Sequence, residues 1–222
     1  MVDYTKQFAK SSSQELSIEE RNILSVAFKN VVGTRRAAWR VLSSIQKKEN
    51  NKGNAENVQK VKNYKHKIEL ELTEICQDIL ELLEEYLVPN SQSEEAKVFF
   101  NKMKADYFRY KAEYAQDAQR HAAAQQALQA YEDARQQAKN SLSNTHPLKL
   151  GLALNHSVFH YEIMQNPEKA CQMARTAFDE AIQDLDNVKD EFYKDATLIM
   201  QLLRDNLLLW TSELIEDDAV AK

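Results

Sequence analysis

Residues that break helices are scarce in this sequence, and that scarcity limits the possible folds more than any other feature. Only three glycines and three prolines occur among 222 residues, so long stretches contain no helix breaker. These stretches are rich in Ala, Leu, Glu, Gln and Lys, which favour helices. The sequence predicts an all-α fold of about seven helices joined by short loops, with neighbouring helices antiparallel.

Apolar residues recur at helical spacing in segments that end at polar or proline-containing breaks. The first long helix begins after Ser17, which can form a capping box with Glu20, and the segment 47–55 is predicted as a loop. Later breaks are predicted at 89–91, 144–147 and 166–167.

The sequence predicts three regions. They are a short N-terminal segment over 1–14, one helical domain over 15–212 and an acidic, mobile tail over 213–222.

Charge and cysteine content exclude several classes of protein. The net charge of −5 argues against general nucleic-acid binding, which needs a basic surface that releases counterions. Cys76 and Cys171 form no CxxC pair, which argues against a disulfide framework. The first residues are too polar for a signal peptide, and no apolar run is long enough to suggest a membrane span. We therefore expect a cytoplasmic protein, with the nucleus as a further location, and neither nucleic acid nor membrane as a partner.

The first long helix carries a basic face in this acidic chain. Lys29, Gly33, Arg36 and Arg40 stand at i, i+4, i+7 and i+11, so they share one side of the helix. Arginine can donate two parallel hydrogen bonds to a phosphate, and this pattern suggests an anion site. An ordinary solvated face has the same spacing, so the pattern by itself leaves both interpretations open.

A second mixed face lies on the aromatic-rich helix that follows residue 93. Lys102, Asp106, Arg109 and Tyr110 share that face, and Asp106 can brace Arg109 from one turn away. Together with the first face, these residues offer enough donors for one phosphate. Solvated surface is again the alternative.

Two later helices combine apolar side chains with one amide each. An asparagine can pair with the N–H and C=O groups of an extended peptide, while apolar neighbours hold its side chains. Core packing with incidental asparagines is the alternative. The residues are Leu154, Asn155, Val158 and Glu162 on one helix, and Ile199, Leu202, Asn206, Leu209 and Trp210 on the other.

His156 and His160 have the i, i+4 spacing of two zinc ligands on a helix. The glutamate of that motif and an obvious third ligand are missing, so we predict no metal site and treat both histidines as packing or surface residues. Motifs for a catalytic serine or a phosphate-binding glycine loop are absent too. We expect neither a cofactor nor enzymatic activity.

Several segments are distinctive enough to compare with known families. They are EERNILSVAFKNVVG at 19–33, RRAAWR at 35–40, DYFRY at 106–110, THPLKLGLALN at 145–155 and KDATLIMQLLRDNLLLW at 194–210. These segments closely resemble the 14-3-3 family of phosphoserine- and phosphothreonine-binding adaptors, and the likeness extends from Glu15 to Trp210. The resemblance implies a nine-helix array, of which about seven to eight helices are expected here because the first is missing.

The resemblance also implies a role for each face described above. Phosphate-binding positions match Lys29, Arg36, Arg109 and Tyr110, with Lys102 and Asp106 in support. Peptide-backbone positions match Asn155 and Asn206, with Glu162 and Trp210 assisting. The apolar wall of the peptide groove matches Leu154, Val158, Ile199, Leu202 and Leu209. The implied partners are phosphorylated client proteins.

The resemblance further implies a homodimer or heterodimer. The candidate dimer face on the second long helix is Tyr64, Lys67 and Glu71, although a solvated face has the same pattern. The leading helices of the family pack on the partner subunit. Residues 1–14 are expected to be either a remnant of the second of these helices or disordered. From this we expect a weakened or monomer-leaning dimer.

Two other functions are compatible with the same residues. The chain could be a helical scaffold for unphosphorylated or acidic peptides, with the phosphate pocket retained but unused. An enzyme is the third interpretation, in which Asp106, Arg109 and Tyr110 would be the active residues.

Overall fold

The computed structural model describes residues 1–12 and 14–220, and side chains at 217–220 are outside the description. Eight α-helices form the described part, which contains no strand and confirms the all-α prediction. Their bounds are α1 (Val2–Ser11), α2 (Ile18–Asn51), α3 (Ala55–Leu82), α4 (Glu94–Tyr114), α5 (Asp117–Ser141), α6 (Pro147–Glu162), α7 (Pro167–Gln183) and α8 (Asp190–Val220). A π-helical turn, Leu83–Leu87, continues α3, and a 3₁₀ turn, Leu185–Asn187, precedes α8.

Side chains satisfy the free amides at several helix starts. The predicted capping box of α2 is confirmed, because Ser17 N donates to Glu20 Oε2 at 2.8 Å and Glu20 N donates to Ser17 Oγ at 3.3 Å. At the start of α7, Lys169 N donates to the Asn166 side chain at 2.9 Å. Pro147 and Pro167 occupy first-turn positions, where a missing N–H costs little.

The loop after α2 is shorter than predicted. The sequence predicts a loop over 47–55, but α2 continues to Asn51 and only residues 52–54 separate it from α3. Lys and Glu in this segment are good helix formers, and Gly53 makes the turn with a φ of +73°. Glu49 accepts hydrogen bonds from Lys52, Asn54 and Asn57, which hold the turn closed.

Both predicted terminal segments contain helix. Residues 2–11 form α1 within the segment 1–14, and α8 continues into the predicted tail, which begins at 213, as far as Val220. Leu, Glu and Ala in this last stretch favour helix. Residues 221–222 of the predicted tail lie outside the described residues, and the mobility of the tail stays a prediction.

The contacts divide the chain into two compact units, and the domain predicted over 15–212 spans parts of both. Unit 1 comprises residues 1–92 and 110–123. In this unit α2 and α3 pack against each other as a helical hairpin around buried residues such as Phe28, Leu72 and Ile79. Helix α1 is attached by an ion pair of 2.6 Å between Lys6 and Asp78.

Unit 2 comprises residues 93–109 and 124–222, apart from the undescribed end. Its helices α6, α7 and α8 pack around small side chains, including Ala170, Ala174 and Ala196, which let the helices approach closely. Leu150, Met200, Leu203 and Trp210 fill the same cluster. Within the described residues, none of the helices is both apolar enough and long enough to span a bilayer.

Candidate functional site

The basic face of α2 lies in unit 1, where Lys29 and Arg40 are exposed and Arg36 is partly buried. Arg36 makes a bidentate contact with the carboxylate of Glu113 near the end of α4. Its Nε donates to Oε2 at 2.9 Å and its Nη2 to Oε1 at 2.5 Å. Arg40 reaches the same carboxylate at 3.4 Å. The carboxylate therefore fixes the position of the Arg36 guanidinium.

Tyr110 supplies the second contact to Arg36. The guanidinium carbon of Arg36 lies 3.9 Å from the centre of the Tyr110 ring, within the range of a cation–π interaction. The structure thus brings together two of the four predicted phosphate-binding residues inside unit 1. Glu113 was missed by the sequence analysis because 77 residues separate it from Arg36, and no local pattern relates the two.

Asp106 on α4 is the centre of a buried network in unit 2. It accepts hydrogen bonds from Lys102 at 2.9 Å and from Arg109 at 3.3 Å, which confirms the predicted brace between Asp106 and Arg109. The Tyr131 hydroxyl donates to Asp106 at 2.5 Å and accepts from Arg109 Nε at 3.0 Å. Asn155 Nδ2 contacts both carboxylate oxygens, at 2.9 and 3.0 Å.

The environment of Asp106 keeps its carboxyl group ionised. Burial alone raises the pKa of Asp106, but the charges of Lys102 and Arg109 and the hydroxyl of Tyr131 lower it to about 2. Burial also raises the pKa of Tyr131 well above its ordinary value, so its hydroxyl stays protonated and can donate. Tyr131 was missed at the sequence level, although it is the single Phe, Tyr or Trp residue of α5.

The predicted peptide-binding residues of α6 and α8 also belong to unit 2. Leu154 and Val158 on α6 and Ile199 on α8 are half-buried and pack against the core of this unit. Leu202 and Leu209 remain 44% and 56% exposed. The five apolar residues therefore do not all belong to the core. Three of them pack on it, and Leu202 and Leu209 face solvent.

The remaining peptide-binding candidates differ in their accessibility. Asn155 and Asn206 are half-buried, and Glu162 is exposed. Trp210 is only 3% exposed, and its ring stacks on Tyr161 at a centroid distance of 4.8 Å. In this structure the Trp210 ring is part of the core cluster and supports the helix that carries Asn206.

His156 and His160 pack inside unit 2. Their rings stack at a centroid distance of 5.0 Å, and His156 also stacks on Tyr131 at 4.8 Å. Among the described residues, no group of three His, Cys, Asp or Glu side chains is arranged to hold a metal ion.

The candidate dimer face lies on α3 in unit 1, where Tyr64, Lys67 and Glu71 are all exposed. Glu71 forms an ion pair of 3.0 Å with Arg35 on α2. The pair links α2 to α3 within the chain.

Comparison with known families identifies the protein. A family model described as "14-3-3 protein" matches residues 1–211. The chain belongs to the 14-3-3 family. The match includes α1 as well as the segments that carry the resemblance, and it extends to the part of α8 that holds Asn206 and Trp210.

Individual 14-3-3 proteins are similar over nearly the whole chain. The 14-3-3-like protein GF14 iota of Arabidopsis thaliana is 57% identical over 217 residues, which make up 98% of this chain and 81% of the relative. The checkpoint signal transducer rad24 of Schizosaccharomyces pombe is 57% identical over 213 residues, or 96% of this chain and 78% of the relative. The 14-3-3 protein 2 of Entamoeba histolytica is 56% identical over 218 residues, covering 98% and 91%.

Membership of the 14-3-3 family establishes the general function. The protein is a phosphopeptide-binding adaptor in signal transduction and not an enzyme. It binds client proteins and forms dimers, as the family does. The interpretation of Asp106, Arg109 and Tyr110 as active residues of an enzyme is therefore wrong. In the structure Asp106 instead positions the side chains around it.

Proposed function

We propose that Lys29, Arg36, Arg109 and Tyr110 bind the phosphate of a phosphorylated serine or threonine in client proteins. The four residues match the phosphate-binding positions of the family, and Arg109 and Tyr110 are consecutive on α4. Two arginines, one lysine and one tyrosine hydroxyl provide enough charge-assisted donors for three phosphate oxygens.

One observation carries this proposal: each arginine is held by a carboxylate that is itself largely buried. Glu113 holds Arg36 with contacts of 2.9 and 2.5 Å, and its side chain is 9% exposed. Asp106, at 7% exposure, holds Arg109. Arginine loses much side-chain entropy when it is immobilised, and here the carboxylates have fixed both guanidinium groups before a ligand arrives.

Asn155 and Asn206 hold the backbone of the client peptide in this proposal, with Glu162 and Trp210 assisting. Both hydrogen bonds from Asn155 Nδ2 go to Asp106, so the amide oxygen points away from that carboxylate and can accept a peptide N–H. Trp210 assists indirectly, through its packing against Tyr161.

The apolar wall beside the peptide consists of Leu154, Val158, Ile199, Leu202 and Leu209. Large apolar side chains on a protein surface commonly mark interaction sites when they form a patch. Leu202 and Leu209 are the most exposed of the set and are available to client side chains, while the other three connect the wall to the core of unit 2.

A matched pair of peptides tests the assignment. A fluorescent peptide phosphorylated on one serine is expected to bind at least one hundredfold more tightly than its unphosphorylated form. The reason is that each hydrogen bond to a charged group contributes about 1.5–3 kcal/mol, and the phosphate makes several. Fluorescence anisotropy measures both affinities. Equal affinities would instead support the second candidate, a scaffold that binds unphosphorylated or acidic peptides.

The second subunit is proposed to contact α3 through Tyr64, Lys67 and Glu71. These residues stand at i, i+3 and i+7, so they share one face of the helix. Tyr64 is 56% exposed, which is a large exposed fraction for an aromatic side chain, and aromatic residues are enriched in protein interfaces.

Replacing Tyr64 by aspartate is expected to raise the dimer dissociation constant at least tenfold. The substitution removes an apolar contact and places a carboxylate where the interface would exclude water. Sedimentation equilibrium gives the constant. The control is Asn63→Asp, which adds the same charge on the neighbouring residue but on another face of α3. If both variants dimerise like the parent protein, the face is assigned wrongly.

We propose a cytoplasmic location, with a nuclear fraction. The family membership and the two free cysteines, Cys76 and Cys171, support this placement.

A further inference from the structure

A cavity of about 380 Å³ lies in unit 2 among α5, α6 and α7. Its volume falls within the range of small-molecule sites in proteins. None of the residues proposed above for the phosphate, the peptide or the dimer lines it. The cavity is therefore separate from the functions already assigned.

The lining of this cavity is strongly basic. Arg135, Lys139, Lys149 and Lys169 line it, and Glu180 is the one acidic residue among the lining residues. Arg135 is neutralised by Glu132 at 2.8 Å, but no carboxylate of the described residues lies within 4.0 Å of the three lysines. A chain with a net charge of −5 thus keeps three lysines without a direct ion pair around one cavity.

Lys149 is held in position with one donor to spare. Its Nζ donates to the carbonyl oxygen of Leu142 at 3.2 Å and to Asn144 Oδ1 at 2.9 Å. An ammonium group has three donors, so one remains for a ligand. The pKa of Lys149 is lower than its ordinary value. Burial is the main cause and the nearby charge of Lys139 adds to it, while Glu180 and Asp184 act in the opposite direction.

His156 lacks the hydrogen bonds that a buried polar side chain normally makes. It is 1% exposed and lines the cavity, and neither ring nitrogen has a hydrogen-bond partner among the described residues. The separation of 3.9 Å between its Nε2 and Glu132 Oε1 is too long for a hydrogen bond. Burial and the charge of His160 lower the pKa of His156 to about 3, so the ring is neutral. Both ring nitrogens are inaccessible to solvent, so His156 contributes a packed ring to the wall of the cavity rather than a hydrogen bond to a ligand.

We propose that this cavity binds a small organic anion with two or more phosphate or carboxylate groups. Lys139, Lys149 and Lys169 contact the charged groups. Apolar lining residues, including Met173, face its organic part. The protein would then respond to a metabolite through a site distinct from the one that binds clients.

Isothermal titration calorimetry tests the proposal on the full chain. The protein is first saturated with a phosphopeptide, so that the proposed client site is occupied. Inorganic pyrophosphate and citrate are then titrated separately at low ionic strength. At least one is expected to bind with a submillimolar dissociation constant that rises with added salt. Tighter binding of pyrophosphate indicates a phosphorylated ligand, and tighter binding of citrate indicates a polycarboxylate.

Matched variants locate the binding. Lys139→Gln/Lys169→Gln removes two exposed lysines of the cavity and is expected to weaken binding at least tenfold. Lys62→Gln/Lys194→Gln removes two exposed lysines elsewhere and is expected to change affinity less than twofold.

Two results would overturn the proposal. One is the absence of binding by both probes at millimolar concentration. The other is equal affinity in the parent protein and the Lys139→Gln/Lys169→Gln variant. Either result would leave the proposed phosphate-binding residues unaffected, because phosphopeptide affinity is measured separately by anisotropy.

Discussion

The double substitution Arg36→Ala/Arg109→Ala is expected to abolish phosphopeptide binding while the protein remains folded. Each charge-assisted hydrogen bond is worth about 1.5–3 kcal/mol, so the loss of both arginines costs at least about 3 kcal/mol, or more than one hundredfold in affinity. Asp106 keeps Lys102, Tyr131 and Asn155 as donors in the variant, which limits the loss of stability. Fluorescence anisotropy gives the affinity, and urea unfolding followed by circular dichroism gives the stability.

Arg40→Ala is the matched control for this experiment. Arg40 lies one turn beyond Arg36 on the same face of α2, has a more exposed side chain, and touches Glu113 at 3.4 Å. Its removal changes the net charge by the same amount as the loss of one phosphate-binding arginine. We nevertheless expect phosphopeptide affinity to change less than threefold. An Arg36→Ala/Arg109→Ala variant that is folded and binds as tightly as the parent protein would refute the assigned site.

The second large effect is expected for Asp106→Asn, a substitution of nearly the same shape. The amide has one acceptor oxygen in place of two, and its NH₂ group faces donors that now lack a partner. The lowering of the pKa of Asp106 from 3.8 to about 2 corresponds to roughly 2–3 kcal/mol in favour of the ionised form. We expect the free energy of unfolding at pH 7 to fall by about that amount, and phosphopeptide affinity to fall because Arg109 and Asn155 lose their common anchor.

The stability difference should depend on pH in a defined direction. The pKa of Asp106 is lower in the folded protein than in the unfolded chain, so its carboxylate stabilises the fold fully above about pH 5. That contribution is lost as the pH falls through 4 toward 2, where the folded carboxyl group also binds a proton. The parent protein and Asp106→Asn should therefore become more similar in stability under acid conditions.

Urea unfolding at several pH values between 7 and 2.5 tests both the loss of stability in Asp106→Asn at pH 7 and its decrease in acid. Asp195→Asn serves as the control, because it removes the same charge from an exposed position on α8. This control is expected to leave the free energy of unfolding within about 0.5 kcal/mol of the parent value. A constant difference between the parent protein and Asp106→Asn at all pH values would contradict the assigned role of the carboxylate.

Local sequence patterns predicted the helices well because the relevant signals lie within a few residues of each other. The capping box of Ser17 and Glu20 and the prolines at the starts of α6 and α7 mark helix starts directly. The end of α2 was harder to predict, because polar residues such as Lys47 and Lys48 are common in both loops and helix ends. The chain continues as a helix there until Gly53 turns it.

The candidate site was predictable in part for the same reason. Lys102, Asp106 and Arg109 are neighbours on one helix. The structure confirms the predicted contact of Asp106 with Arg109 and adds an ion pair of Asp106 with Lys102. Glu113 and Tyr131 contact the predicted arginines through tertiary packing, which no spacing along the chain reveals. Trp210 was predicted by resemblance as a binding residue, whereas its buried ring agrees with the core-packing alternative that the apolar spacing left open.

The contact between Arg36 and Glu113 has a consequence for the choice of ligand. Glu113 already takes two of the five N–H donors of Arg36, so only the remaining donors can reach an incoming ligand. A phosphate brings close to two negative charges and three acceptor oxygens, and therefore gains more from these donors than a carboxylate does. Glutamate or aspartate introduced in a client as a substitute for phosphoserine would gain little from Arg36. We therefore expect the internal ion pair to favour phosphorylated clients over ordinary acidic sequences.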